Sequence, residues 1–346
     1  MNSHLIHLVE FTVFMSAMLL IAFRPAWQEW RTPTDFQPLS VSPDYSIDID
    51  YFAANFYTKV INFLNKESPR EHQHKFQLIP ASAGVIDWSV VRLPVIAMNS
   101  IFAKEVISCQ LPIFVNGDLS TVGADNLQSL YTQGKISLGP YSRIRDWAHA
   151  KEDISLGHES NAPRRLSSSS SVLLEHGCYF ERVNAPTIAF GARKNNSIFN
   201  ANELIESSFL ELSGAIKKTN SLTLIRGDCD IPSGRIYHGS LIVTGRLTVG
   251  EHSRIIGDVK ARDTIVIGAH ALIGGALIGE KNIELKEQVC IKGPIISETL
   301  ITIGADSTVG MHELPTTVSA QRILVDAGVL AHGTVWARDF GVTCPS

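Results

Sequence analysis

Residues 247–285 read LTVGEHSRIIGDVKARDTIVIGAHALIGGALIGEKNIEL, and the same kinds of residue recur in this stretch every 18 positions. Twelve of twelve positions in three columns of the repeat are apolar, whereas 45% of the whole chain is apolar, so chance does not explain the pattern. These columns, and a fourth one made of glycine, are Leu247, Ile265, Ile283 and Ile301; Val249, Ile267, Leu285 and Ile303; Ile255, Ile273, Ile291 and Val309; and Gly257, Gly275 and Gly293.

A unit of 18 residues is too short for a pair of helices, but it suits one turn of a parallel β-helix with three short strands. Successive turns would stack about 4.8 Å apart, so that each aliphatic column fills the interior while the backbone groups pair between turns. The glycine column is expected to permit corner conformations that a Cβ would obstruct. The repeat therefore predicts an all-β fold, a single-stranded parallel β-helix.

The same phase is present earlier in the chain. Ile136, Ile154 and Val172 are also 18 residues apart. We expect the β-helix to begin near Ile113, within a domain that spans residues 76–346.

Two segments outside the repeat have apolar residues at helical spacing. The first belongs to residues 31–75, which we interpret as a linker followed by an amphipathic helix that packs on its neighbour. The second is an insertion in the β-helix domain at about residues 195–220, where we predict a short helix. The apolar faces comprise Phe52, Phe56, Val60 and Phe63 in the first segment, and Ile205, Phe209, Leu212 and Ile216 in the second.

The N-terminal residues 1–30 are predicted to be a transmembrane anchor. Residues 5–23 are mostly apolar, and 19 helical residues at about 1.5 Å each match the thickness of a hydrocarbon core. A cleaved signal peptide fits less well, because the first ten residues contain no Lys or Arg and no small-x-small cleavage site follows the segment. Arg24 and Arg31 follow the segment, so the positive-inside rule places the rest of the chain in the cytoplasm.

Composition and charge argue against several partners. The net charge is -4 and no run of five basic residues occurs, so the sequence predicts no nucleic acid partner and no electrostatic attraction to acidic lipid. The five cysteines are scattered and never form a C-x-x-C pair, which argues against a zinc site and a disulfide framework. Near Gly274 and Gly279 the chain resembles a phosphate-binding loop, but Glu280 stands where that loop needs Lys. We therefore expect no nucleotide, metal or other cofactor.

Recurrent units such as Gly257-Asp-Val-Lys-Ala261, Gly239-Ser-Leu-Ile-Val243 and Leu247-Thr-Val-Gly250 resemble those of the bactofilins, the bacterial polymer-forming cytoskeletal proteins. The resemblance is best over residues 229–310 and weaker over 113–191. It implies a right-handed β-helix that joins end to end without nucleotide and serves as a scaffold for envelope enzymes at the inner membrane. The chain departs from the bactofilin pattern in its extra N-terminal coils, its insertion and its anchor.

Two enzyme classes are the alternatives to a scaffold. A hexapeptide-repeat acyltransferase that modifies an envelope polysaccharide would need a histidine base, for which His252, His270 and His149 are candidates. However, the repeat places large aliphatic residues where strict hexapeptides need small ones. A polysaccharide lyase or hydrolase would use grouped carboxylates, and Asp228, Asp230 and Asp258 are close in the repeat.

The sequence thus favours a non-enzymatic, membrane-anchored scaffold that binds further copies of itself and envelope proteins whose identity is not encoded in any motif. Self-assembly requires exposed coil ends, because an uncapped coil presents unpaired strand edges. The residues expected at the two ends, and hence at the assembly interface, are Ile113 and Val115 at one end and Val335, Trp336 and Phe340 at the other.

Overall fold

The structure of the protein, a computed structural model, describes residues 3–31, 49–65, 75–79, 86–193 and 204–345. The chain divides into two units, Met1–Tyr45 and Ser46–Ser346. Most of the predicted linker before residue 49 lies outside the described residues.

The first unit contains the helix α1, Ser3–Arg31. Its window His7–Arg24 has a mean hydropathy of 1.5, and no side chain in this window is buried against other parts of the unit. The predicted apolar N-terminal helix is therefore confirmed, and it is long and apolar enough to cross a membrane.

The second unit begins with the helix α2, Tyr51–Leu64, and continues as a parallel β-solenoid of about 14 turns. We call its two parts the first and the second solenoid. The first solenoid comprises β1 Gln77–Ile79, β2 Val95–Ala97, β3 Ile101–Phe102, β4 Ser108–Cys109, β5 Ile113–Val115, β6 Leu119–Ser120, β7 Asn126–Thr132, β8 Ile136–Leu138, β9 Arg143–Ala150, β10 Ile154–Leu156, β11 Asn161–Ser168, β12 Ser171–Leu174 and β13 Tyr179–Phe190.

The second solenoid comprises β14 Ile205–Ser207, β15 Ala215–Lys217, β16 Leu222–Ile225, β17 Cys229–Ile231, β18 Arg235–His238, β19 Ser240–Val243, β20 Leu247–Val249, β21 Arg254–Ile256, β22 Val259–Ala261, β23 Ile265–Ile267, β24 Leu272–Ile273, β25 Leu277–Gly279, β26 Ile283–Leu285, β27 Cys290–Ile291, β28 Ile295–Ser297, β29 Leu300–Ile303, β30 Thr308–Val309, β31 Thr316–Val325 and β32 Val329–Thr343. Short 3-10 helices form at Trp88–Val90 and Phe209–Glu211.

The predicted columns are ladders between successive coils. Leu247 is paired with Ile265, Ile265 with Ile283 and Ile283 with Ile301, all in parallel register. Each of these side chains is at most 1% exposed. The predicted all-β solenoid of about 18 residues per coil is therefore confirmed. Its start at Ile113 is wrong, because β1 already pairs in register with β2, and β2 with β5.

The corner glycines have a different role from the expected one. A Cβ on Gly257 would lie 2.3 Å from the carbonyl oxygen of Gly239 in the preceding coil, and a Cβ on Gly293 would lie 2.5 Å from the carbonyl carbon of Gly275. These glycines are therefore required by close approach between coils. The left-handed corner is a separate position, one per coil, and ordinary residues occupy most of it: Ala124, Tyr141, Glu159 and Gly177 in the first solenoid, and Gly234, His252, His270, Gln288, Asp306 and Gly328 in the second.

The two solenoids meet at their C-terminal ends. Strands β13 and β32 are antiparallel, with Val183 opposite Val335 and Phe190 opposite Val329. The second solenoid therefore returns toward the first, and its last coil closes the last coil of its neighbour. We call this contact between β13 and β32 the joint. Because the joint satisfies the strand edges of both solenoids, the two parts form one continuous sheet.

Helix α2 covers the side of the first solenoid. Phe56 and Val60 on the helix pack with Ile96, Phe114 and Tyr131 on the strands. Ile96 and Phe114 are outward-facing residues, yet they are buried, so all three residues of both β2 and β5 are inaccessible. The apolar outer column here is explained by the helix that covers it.

The region of the predicted inserted helix forms no α-helix in its described part. Residues 194–203 lie outside the described residues, and the rest consists of β14, the 3-10 helix Phe209–Glu211 and β15. Phe209 stacks on Tyr237 with ring centroids 4.8 Å apart, and β15 pairs antiparallel with β16. Of the four residues of the predicted helical face, Phe209 and Leu212 pack against the solenoid core, whereas Ile205 and Ile216 are exposed.

Candidate functional surfaces

The five predicted assembly residues do not lie at a free end of the solenoid. Ile113 and Val115 are completely buried in β5, between β2 and β7. Val335 is buried in the joint, where Trp336 lies opposite Arg182. Phe340, in the same strand, is only partly exposed and pairs with Arg322. The expected positions were wrong for two reasons. Ile113 and Val115 are internal because β1 and β2 add coils before β5, and the C-terminal residues are internal because β32 pairs with β13 at the joint.

A cluster of polar side chains lies beneath the start of α2. Tyr131, His149 and Ser167 occupy one outward-facing column in β7, β9 and β11. His149 is 4% exposed, and its Nδ1 lies 2.8 Å from Ser167 Oγ and 3.5 Å from Asp50 Oδ1. The His149 ring also contacts the Tyr131 ring, with centroids 5.1 Å apart. Asp50 immediately precedes α2, so the cluster connects this helix to the solenoid.

The cluster contains the components of an acyl-transfer triad but not its geometry. In such a triad the histidine uses one ring nitrogen for the nucleophile and the other for the carboxylate. Here Ser167 and Asp50 both approach Nδ1 of His149. We therefore interpret the cluster as a structural contact that holds α2.

The electrostatics of the cluster favour an ionised Asp50. Partial burial works to raise the pKa of this carboxyl group, but polar contacts with His149 and Ser167 outweigh burial and hold the pKa below its ordinary value of 3.8. Burial, with the nearby Tyr57 and Asp50, raises the pKa of the Tyr131 phenol. The 18-residue spacing of Tyr131, His149 and Ser167 could have revealed this column from the sequence. No periodic signal could have placed Asp50 beside it, because that residue lies outside the repeat.

The other two candidate histidines form a stack. His252 and His270 lie at the left-handed corners of adjacent coils, with ring centroids 4.6 Å apart and planes only 3° from parallel. Both are partly exposed. The two imidazole rings are therefore stacked face to face along the corner.

The candidate carboxylates cap backbone groups of the next coil. Asp228 accepts a hydrogen bond from the Arg246 N–H, and Asp258 accepts one from the Ala276 N–H, each over 2.8 Å. Both carboxylates are thus used in turns between coils. They are not directed at a shared groove.

The cysteines are free thiols. Burial raises the pKa of Cys178 and of Cys229 to about 11 each, so little thiolate is present at neutral pH. Within the described ranges no three His, Cys, Asp or Glu side chains are grouped as a metal site would require.

The two remote ends of the solenoid differ. At the end formed by the second solenoid, β15 covers the edge of β16, with Lys217 as its last residue and Lys218 directly after it. Within the described residues, β14 there pairs only with β18 and β17 only with β20, so the covering is limited to the edge of β16. At the other end, within the described residues, β1 pairs only with β2 and β3 pairs only with β6. Phe102 on β3 is 70% exposed there. We call this surface, with Leu78, Val90, Phe102 and Val106, the open end.

Comparisons with protein-family models, with curated proteins and with solved structures found no match.

Proposed function

We propose that the protein is a membrane-anchored structural scaffold, as its sequence resemblance to bactofilins implies. In this proposal α1 crosses the inner membrane, the solenoids lie in the cytoplasm, and further copies of the chain bind at the open end without nucleotide. Envelope-associated proteins would be the clients of the scaffold.

The observation that carries the proposal is the difference between the two ends of the sheet. A strand edge with exposed apolar side chains favours pairing with another chain, whereas an added antiparallel strand with nearby charge blocks such pairing. Phe102 and Val106 are more than half exposed at the open end, where the described residues contain no covering strand. At the other end β15, with Lys217, covers the edge of β16, although Ile205 and Leu210 are exposed there. Assembly through one open end would join chains in pairs.

Sedimentation velocity and electron microscopy of the full chain in detergent, without ATP or GTP, would test this assembly. We expect particles that contain two chains, and we expect Phe102→Arg to shift them to single chains because it places a charge in the apolar contact. Leu314→Arg is the matched control, since Leu314 is 61% exposed in the turn Met311–Leu314 and away from the open end. Single chains at all concentrations of the wild type would refute the proposal.

The acyltransferase hypothesis predicts a different result. A parallel solenoid also suits that class, and His252 and His270 are the partly exposed side chains that could act as a base. Saturable binding of an acyl-coenzyme to the full chain, weakened by His270→Ala, would favour the enzyme over the scaffold.

A further inference from the structure

Seven arginines gather on the long strands around the joint. Strands β9, β11, β13, β31 and β32 contain no lysine and three acidic residues, Asp146, Glu181 and Asp339. This region is therefore basic, although the whole chain has a net charge of -4. We call the basic surface the arginine ridge; it consists of Arg143, Arg145, Arg164, Arg165, Arg182, Arg322 and Arg338.

The centre of the ridge is a ladder in which two arginines lie between two tryptophans. Trp147, Arg165, Arg182 and Trp336 are paired one after another across β9, β11, β13 and β32. The Arg182 guanidinium lies 5.2 Å from the centre of the Trp336 ring, and that of Arg165 lies 4.9 Å from the Phe52 ring of α2. Stacking fixes the plane of each guanidinium.

The acidic neighbours do not neutralise the ridge. Arg164, with a side chain 68% exposed, lies 3.9 Å from Asp146, a weak surface ion pair. Glu181 faces Arg164, Arg165 and Arg182 together. Arg143, Arg322 and Arg338 are all exposed. One guanidinium nitrogen of Arg338 donates a hydrogen bond to the Glu298 carbonyl oxygen over 2.9 Å.

Exposed aromatic side chains flank the arginines. Trp336 is 37% exposed within the ladder, and Phe52 is 49% exposed where α2 meets Arg165. Tyr51, next to Phe52, is 59% exposed. Arginine with tryptophan and tyrosine is the composition of protein surfaces that lie at the level of lipid headgroups.

We propose that the arginine ridge binds the surface of an anionic phospholipid bilayer and so orients the solenoid along the membrane. The chemical basis is phosphate recognition by guanidinium groups, together with insertion of Trp336, Phe52 and Tyr51 among the headgroups. The inference rests on the proposed attachment to a membrane but not on assembly at the open end.

A bilayer fits the ridge better than a soluble polyanion. Exposed aromatic side chains gain from contact with headgroups, and the apolar helix α1 places the chain among membrane proteins if it spans. A soluble polyanion would use the arginines but would gain nothing from the exposed parts of the Trp336 and Phe52 rings.

The experiment uses the full chain in nanodiscs of neutral phosphatidylcholine, mixed with vesicles of a second membrane. Vesicles of phosphatidylcholine alone are compared by flotation with vesicles that contain about one third phosphatidylglycerol. We expect binding only to the anionic vesicles, with loss of binding as NaCl rises from about 0.05 to 0.5 M. The variant R164E/R322E should bind at least about tenfold more weakly, because each basic residue near such a surface contributes about fivefold in affinity.

The control variant R92E/R226E makes the same charge change on two exposed arginines near the remote ends of the two solenoids. Its affinity should stay within about twofold of the wild type. Equal loss of binding in both variants would overturn the proposal, as would binding of soluble polyphosphate without binding of anionic vesicles.

Thermal unfolding checks that the variants fold, and Arg164→Gln replaces R164E/R322E if that protein is destabilised. Insertion of the chain into nanodiscs tests separately whether α1 binds a membrane. A chain that does not insert would contradict the proposed anchor, whereas a chain that inserts but does not float with anionic vesicles would contradict the proposed role of the ridge.

Discussion

Phe180 and Gly341 face each other across the joint, with the phenylalanine ring occupying the space where a side chain on Gly341 would begin. A Cβ at that glycine would lie 2.3 Å from Cε2 of the ring. Phe180 is 1% exposed and also contacts Phe190, with ring centroids 5.6 Å apart, so its ring is packed within the core. The antiparallel contact between the two solenoids depends on this glycine.

Gly341→Ala is therefore expected to destabilise the joint by about 1–3 kcal/mol, the usual cost of an added methyl group in a packed core. Chemical unfolding measures the change. Phe180→Leu should restore room for the methyl group, so the double variant should lose less stability than the sum of the two single variants. Additive losses would show that the two residues do not interact.

The aliphatic ladders predict that substitution by alanine costs much more unfolding free energy at an inward-facing position than at the neighbouring outward-facing position of the same strand. Ile265 is fully buried between Leu247 and Ile283, whereas Val266 faces outward on the same strand. Ile265→Ala should cost about 2–5 kcal/mol of unfolding free energy, and Val266→Ala about 1 kcal/mol or less. Equal costs would contradict the assignment of these columns to the interior.

The sequence was sufficient to predict the aliphatic ladders, because a buried position recurs once in every coil and therefore carries an apolar residue every 18 positions. The column that contains Ile265 is an example. The sequence was insufficient for predicting the joint, since an 18-residue period is the same whether the second solenoid continues in the direction of the first or runs back toward it. The arginine ridge was not foreseen for a related reason: Arg164 and Arg182 are separated by one coil in the chain, so a search for runs of basic residues does not bring them together. Asp50 could not be placed because nothing in the repeat positions α2.

The left-handed corner predicts a stabilising substitution. Glu159 is exposed and has a φ of 55°, a conformation that costs an L-residue about 1–2 kcal/mol. Glycine avoids this strain and loses about 0.5–1 kcal/mol through its greater backbone entropy in the unfolded chain. Glu159→Gly should therefore stabilise the protein by about 0.5–1 kcal/mol in thermal unfolding. Glu152→Gly, at an exposed position outside the left-handed region, should destabilise it instead.

The packing of α2 depends on an aromatic stack. The Tyr57 ring lies 5.1 Å from the Tyr131 ring, with planes 9° apart, and 6.2 Å from the ring of Phe114. Tyr57→Ala should remove these contacts and speed amide hydrogen exchange in α2 by about tenfold or more, with little change in the solenoid strands. Lys59→Ala, at an exposed position of the same helix, serves as the control and should leave the exchange rates nearly unchanged.

The lowered pKa of Asp50 predicts that α2 loosens in acid. Because the pKa is lower in the folded state than the ordinary value of 3.8, the ionised carboxyl group stabilises the docked helix above that pH. This contribution is lost as the pH falls through the lower, folded-state pKa. It should be below about 1 kcal/mol, since the side chain is 48% exposed. Hydrogen exchange of α2 between neutral and acidic pH would measure it.

Asp50→Asn should remove this acid-dependent step and make α2 exchange faster at neutral pH, because the neutral amide cannot replace the charge beside His149. Asp230→Asn, on an exposed position of the second solenoid, should leave the pH profile of α2 as it is in the wild type. If the Asp50 variant kept the wild-type profile, the acid sensitivity of the helix would have to come from another group, and the contact between Asp50 and His149 would not hold α2 in place.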